Sequence, residues 1–195
     1  MTRSRPPLFG DENWRFQILL RKVEFVKNCR KSLLWKPCLY LILAQFHRLS
    51  IRLGYEIPFN VIGPGLRIAH RGTIVVNGSA KIGENVTLHP CVVIGVKYPL
   101  VDESPEIGNN VLIGAGAKVI GQVTIADGIV IGANSLVNRS FNEPNITVAG
   151  VPAVKISDSG SEGLLIRATE VVRTRNKQPK EDPGKAEPAA TRRTS

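Results

Sequence analysis

The sequence predicts a mainly β protein, a parallel β-helix carrying a short α-helical arm, and three observations carry that prediction. Aliphatic residues recur six apart, at Ile62, Ile68 and Ile74, at Ile82, Leu88 and Ile94, and at Ile107, Ile113, Val119, Ile125, Ile131 and Val137. Small residues follow most of them directly, at Gly63, Ala69, Gly83, Gly95, Gly108, Gly114, Ala126 and Gly132, with Asn138 in the same place. The pattern starts only after residue 55, behind a segment of different, basic character.

An amphipathic helix spaces its apolar stripe at alternating three and four residues, and a half-buried strand at every second residue, so a strict six suits neither alone. It suits a hexapeptide solenoid, in which each repeat is one short strand plus a corner and three repeats make a triangular coil of about 18 residues. The aliphatic of each repeat points into the coil. A second compact side chain four residues later, such as Val86, Val92, Val111, Ala117, Val123, Ile129 or Ser135, fills the remaining space. From Ile57 to Ile156 this predicts roughly five stacked coils. An ordinary β-sandwich with glycine turns has no reason to keep nine near-consecutive steps of six.

The period breaks twice. Between Ile74 and Ile82 the step grows to 8 through Asn77, Gly78 and Ser79, which reads as a widened corner. Between Ile94 and Ile107 it grows to 13. Residues 96–106, with Lys97, Pro99, Asp102, Glu103 and Pro105, are predicted to leave the coil as a protruding loop, the kind of feature that tends to mark a functional face.

The solenoid spans residues 56–156, between a basic arm (1–55) and a C-terminal extension (157–195). The formal charge of +10 is uneven: residues 1–55 hold 11 Lys/Arg against 3 Asp/Glu, residues 56–156 hold 7 of each, and residues 157–195 hold 8 against 6. In the arm, Trp14 to Lys36 reads as one helix with Phe16, Leu19, Leu20, Val23 and Val26 on one side, punctuated by Pro37. A second apolar segment runs from Cys38 to Phe46, far short of the ~20 residues that cross a bilayer. These helices either pack on the solenoid or a neighbouring subunit, or form a basic anchor at an anionic membrane surface. Nucleic acid is not an expected partner, because the pI of 9.9 comes with no recognition motif. In the extension, 157–163 reads as a polar linker, 164–172 as a short helix, and 177–195 as a disordered tail. Three cysteines without a shared spacing fit a reducing cytoplasm, and no secretory signal is visible.

The chain has three histidines, His47, His70 and His89. His70 is predicted on a strand, two residues past Ile68, and His89 at a corner. No two share the short spacing of a chelating pair, so no metal is expected.

The runs EIPFNVIGPGLRIAHRGTIVVN (56–77), EIGNNVLIGAGAKVIGQVTI (106–125), IGANSLV (131–137) and VAGVPA (148–153) resemble the hexapeptide-repeat O-acetyltransferases. The likeness is nearest to the serine acetyltransferase group and its short relatives associated with surface-polysaccharide assembly. The resemblance implies a left-handed solenoid, a homotrimer and acetyl-CoA as co-substrate. It also implies that His70 is the general base. Glu56 would be the carboxylate that orients it, 14 residues earlier and one short of the family interval. A neutral imidazole can take the proton of a hydroxyl attacking a thioester, and a carboxylate behind the ring stabilises the imidazolium. By the same resemblance Gly114, Ala115 and Ala133 would be bare contacts for acetyl-CoA, and Lys155 a phosphate contact.

Two departures bear on the acceptor. The family's aspartate before the histidine is replaced by Ala69, and its Arg-His pair in the loop by Glu103 and Ser104. Glu103 would repel a carboxylate substrate, so the expected acceptor is a sugar or surface-glycan hydroxyl met by His89, Asp102 and Glu103. L-Serine is the alternative acceptor. A non-catalytic scaffold subunit and a γ-type carbonic anhydrase are the readings from other classes. The expected location is the cytoplasm, with peripheral contact at the inner membrane face through the arm.

Overall fold

Every aliphatic residue of the sixfold series is buried in the computed structural model, which describes residues 11–30, 32–98, 103–165 and 167–177. The second compact position is filled as expected, with Val86, Val92, Val111, Ala117 and Ile129 fully enclosed. Two residues per repeat therefore build the interior and the others face out. The result is a left-handed parallel β-helix with three faces.

The first face stacks β1 (Tyr55–Glu56), β3 (Ile74–Val76), β6 (Val93–Gly95), β9 (Lys118–Ile120) and β12 (Leu136–Val137). The second stacks β4 (Lys81–Ile82), β7 (Glu106–Ile107) and β10 (Thr124–Ile125), lengthened by single bridges from Ile62 to Ile82 and from Phe141 to Ile125. The third stacks β2 (Arg67–Ile68), β5 (Thr87–Leu88), β8 (Leu112–Ile113), β11 (Val130–Ile131) and β13 (Thr147–Gly150), with β14 (Ala153–Ser157) added antiparallel at its edge. Pairing Lys118 with Leu136 and Leu112 with Val130 fixes a regular advance of 18 residues per coil. Lys81 pairs with Glu106 and Thr87 with Leu112, an advance of 25, so seven extra residues leave the coil there. Glu106, expected in the loop, is the first residue of β7. The loop departs where the first face gives way to the second. Ser104 donates to Asn77 Oδ1 at 3.2 Å across that corner.

At the corner from second to third face the chain turns through left-handed backbone: Asn85 and Asn110 both have φ 56° and Asn145 has φ 58°. Asparagine tolerates this region far better than a branched residue. Asn85 Nδ2 also donates to Asn110 Oδ1 at 3.1 Å, so successive corners are hydrogen-bonded through side chains.

The arm is two helices, as expected, but the first ends at Cys29 instead of Lys36 and the second runs on to Leu53. Asp11 caps α1 (Glu12–Cys29) by accepting from the Trp14 N–H at 3.0 Å. A 3-10 turn (Leu33–Trp35) leads into α2 (Lys36–Leu53). Pro37 starts α2 instead of ending α1, because in the first turn its missing N–H would have had no partner anyway. Gly54 at φ 73° ends α2 in left-handed geometry. The arm seals the open lower end of the solenoid. Arg21 donates to Ile62 O at 2.8 Å and to Gly63 O, and is held by Glu24 at 2.8 Å. Glu24 accepts from the Asn60 N–H at 2.8 Å. Phe16, Phe46, Tyr55 and Phe59 form a chain of rings with centroids 5.0 to 5.1 Å apart, so arm and solenoid share one core.

The C-terminal extension is no free linker at its start. After β14 it runs back along the corner from second to third face: Ser161 N–H donates to Gly128 O at 2.8 Å and Ser161 Oγ to Asn110 O at 2.5 Å. Helix α3 (Ala168–Lys177), set four residues later than expected, is fastened by Thr169 on Asn85 and by a two-pronged Arg173–Glu84 ion pair at 2.9 and 3.0 Å. The tail from 178 onward lies outside the described residues.

Ile131 is fully buried in the middle of the stack. Ile131→Ala is expected to cost about 2 to 5 kcal/mol, read as a lowered denaturant midpoint.

Candidate active site

The register of the third face decides which residues meet at its far end. Ile68, Leu88, Ile113, Ile131 and Val148 are stacked partners. The residues one step on stack too. Ala69 N–H donates to Leu88 O at 3.0 Å, His89 N–H to Ile113 O at 3.1 Å, Gly114 N–H to Ile131 O at 2.8 Å and Gly132 N–H to Val148 O at 2.8 Å. One further step gives the column His70, Pro90, Ala115 and Ala133, at the corner where the third face turns into the first, continued by Gly150 at the end of β13. His70 therefore sits just past β2 at a corner, not on a strand as its spacing suggested. His89 stands at the corner, as expected.

The two histidines are brought together, with ring centroids 6.1 Å apart and planes at 60°. One heavy atom between rings at that separation lies within hydrogen-bonding reach of both. His70 is exposed and His89 half-buried. Burial lowers the His89 pKa from its ordinary value, and the nearby His70 and Arg67 push it the same way.

Residues that the sequence did not single out hold this corner in place. Tyr55 donates its hydroxyl proton to Asn13 Oδ1 at 2.7 Å, with the His70 carbonyl oxygen 3.3 Å away. Burial pushes the Tyr55 pKa up to about 12, against a smaller opposing pull from Arg71, so the hydroxyl stays a donor. Arg71, next to His70, pairs with Glu12 at 3.0 Å, and Glu12 also takes Arg52 at 2.9 Å. Both ends of the arm hairpin's base are thus tied to the histidine corner. Nothing in the sequence marks Asn13 or Glu12 for this role, because each is more than 40 residues from its partner.

The other candidates are more scattered. Glu56 is exposed on β1 and lines a groove of about 510 Å³ with His47, Ser50, Pro58, Thr73 and Val75. It has no hydrogen bond or ion pair to His70 or to another side chain among the described residues. Gly114 is buried, and a Cβ there would lie 2.7 Å from Ala133 N, so coil stacking alone demands a glycine. Ala115 and Ala133 are exposed and form an open track above His70. Lys155, on β14 opposite Val148, is already engaged: its ammonium pairs with Glu143 and Asp158, each at 2.6 Å, which raises its pKa. Glu103 belongs to the loop at the opposite edge of the first face from His70, and Asp102 lies outside the described residues. No group of three or more His, Cys, Asp or Glu side chains among the described residues could hold a metal ion. His70 and His89 alone fall short of the zinc set of a γ-type carbonic anhydrase.

Comparison with known proteins bears on the repeats and the fold. Residues 104–139 match the family model for bacterial transferase hexapeptide (six repeats). The serine acetyltransferase of Staphylococcus xylosus is 40% identical over 109 residues, covering 55% of this chain and 50% of that protein. The chain thus spans about half the length of the curated relatives it matches. Serine acetyltransferase from Brucella abortus strain S19, solved in complex with coenzyme A, superposes with a TM-score of 0.59 and 26% identity over 80% of this chain and 63% of that one. Soybean serine acetyltransferase complexed with serine gives 0.57 and 27%, over 74% and 57%. The chain is serine acetyltransferase-like in its repeats and its fold.

Because the folded chain holds His89 below its ordinary pKa, the unfolded chain takes up the extra proton as pH falls through about 6.5. Stability is expected to drop over that interval, and His89→Gln to flatten the drop, in denaturant midpoints compared from about pH 8 down to about pH 5.

Proposed function

We propose that this serine acetyltransferase-like chain transfers the acetyl group of acetyl-CoA to the hydroxyl of L-serine, with His70 as general base. The observation that carries the reading is the column running from His70 through Ala115 and Ala133 to Gly150. Coils rise about 4.8 Å each, so four steps make an open track of about 19 Å ending at an imidazole. That suits a long, thin pantetheine arm whose thioester must arrive beside a base. His70 removes the hydroxyl proton as the oxygen attacks the thioester carbonyl. The new C–O bond forms, the C–S bond breaks, and the departing thiolate takes that proton from the His70 imidazolium to leave as the thiol of CoA, restoring the neutral base.

Glu56, one residue after Tyr55 and without a partner among the described residues, is assigned to orient the imidazolium as the acceptor fills the corner. Lys155 can meet a CoA phosphate only by exchanging its present carboxylates for it. His70 and the Glu103 loop stand at different edges of the first face, so a cleft lined by both forms between copies, consistent with a homotrimer. The repulsion that Glu103 would exert on serine then acts across a subunit boundary. The matched relatives weigh the choice towards serine, whereas Ala69 in place of the family aspartate supports a sugar or glycan hydroxyl as second reading. The same proposal places the protein in the cytoplasm.

Acetyl-CoA consumption with free L-serine, set against candidate sugars, tests the acceptor: turnover with sugars alone selects the second reading. His70→Ala is expected to fold normally and to lower turnover by about 10² to 10⁴, and unchanged turnover defeats the assignment of the base. Ala115 is exposed, so Ala115→Trp should leave the fold intact while raising the acetyl-CoA KM by roughly tenfold or more, measured in initial-rate assays.

A further inference from the structure

The tip of the arm hairpin combines features that neither the core nor the acetyl-transfer reading uses. Leu33, Leu34, Tyr40 and Leu41 are 67 to 87% exposed, and Phe25 is 53% exposed at the end of α1. The guanidinium of Arg30 stacks on both Phe25 and Trp35, at 5.5 and 5.0 Å from the ring centres, which gathers these residues into one patch. Lys27 and Lys36 flank it, both exposed. From Phe25 to Tyr55 the sequence holds six Lys/Arg and no Asp or Glu.

We propose that this tip is a docking surface for an anionic lipid bilayer, on which the protein lies peripherally. Aliphatic side chains at the apex enter the headgroup boundary, Trp35 and Tyr40 sit at its level, and the surrounding cations meet acidic headgroups with their stems along the apolar layer. A second copy of the chain is a poorer occupant. A self-complementary contact on an acid-free surface sets cation against cation, and interface cores are depleted in lysine. Insertion is shallow, because no helix among the described residues is long and apolar enough to cross a membrane. Helix α1 has 18 residues, which at 1.5 Å each sets about 27 Å between the tip and the Glu12 end that holds Arg71. Docking therefore tethers the histidine corner beside a bilayer without immersing it, and the acceptor need not be a lipid.

The surface goes beyond the acetyl-transfer reading and is tested without it. The full chain is sedimented with vesicles of phosphatidylcholine alone or mixed with phosphatidylglycerol, at low and high salt, with light scattering to follow oligomeric state. Binding is expected only to the mixed vesicles and is expected to weaken with salt. Leu33→Glu combined with Leu34→Glu should reduce it about tenfold or more, with circular dichroism and acetyl-CoA turnover unchanged. Lys36→Glu, which leaves the apolar apex intact, should weaken binding separately. Indifference of the parent chain to anionic vesicles overturns the proposal. So does undiminished binding by the double variant, or a parent that ignores vesicles while the double variant falls apart into smaller oligomers.

Discussion

Coil-to-coil hydrogen bonding in strict register is the constraint on which the rest of this molecule depends. Each coil donates and accepts along all three faces, and because the inward aliphatics recur every six residues, the pairing that satisfies the backbone also closes the core. A slip of one residue would turn Ile113 and Ile131 outward. The register also does the positioning that function needs. His70 and His89 are 19 residues apart in the chain, yet they meet because Ile68 pairs with Leu88. The exposed alanines stand above them for the same reason.

A solenoid end is a row of unpaired backbone groups, and the arm resolves this chemically as well as sterically. Arg21 takes the carbonyls of Ile62 and Gly63, Glu24 takes the Asn60 N–H, and the aromatic chain from Phe16 to Phe59 continues the apolar interior downward. The arm also touches the candidate site, through Asn13 on Tyr55 and Glu12 on Arg71. Sealing the end and steadying His70 are done by the same short helix.

The repeat architecture was legible because its signal is local and periodic: the twelve sixfold residues name the core almost without error, and the 13-residue step marks the loop. What stayed hidden depends on contacts distant in sequence or on competing local effects. Pro37 reads equally as a stop or as a first-turn residue, and only the surrounding packing selects the second. The two histidines were legible as candidates, but their meeting was not, since it needs the third-face register. Tyr55 carried no mark beyond standing beside Glu56. Lys155 looked free for a phosphate because Glu143, twelve residues earlier, becomes its neighbour only when β14 folds back on β13, although Asp158 stood three residues away in the sequence. Gly114 looked like a ligand contact because the residue that stacking demands and the residue a ligand tolerates are the same.

Repeat proteins that touch only nearest neighbours can fray from either end one unit at a time. This chain has little freedom to do so. The segment after β14 returns past Gly128 and Asn110 to fasten at Asn85 and Glu84, spanning in one stretch coils that otherwise meet only in succession. Peeling off the uppermost coil would pull on that strap and load its anchors near the base, so the ends of the stack share a fate and the β-helix behaves as one cooperative unit.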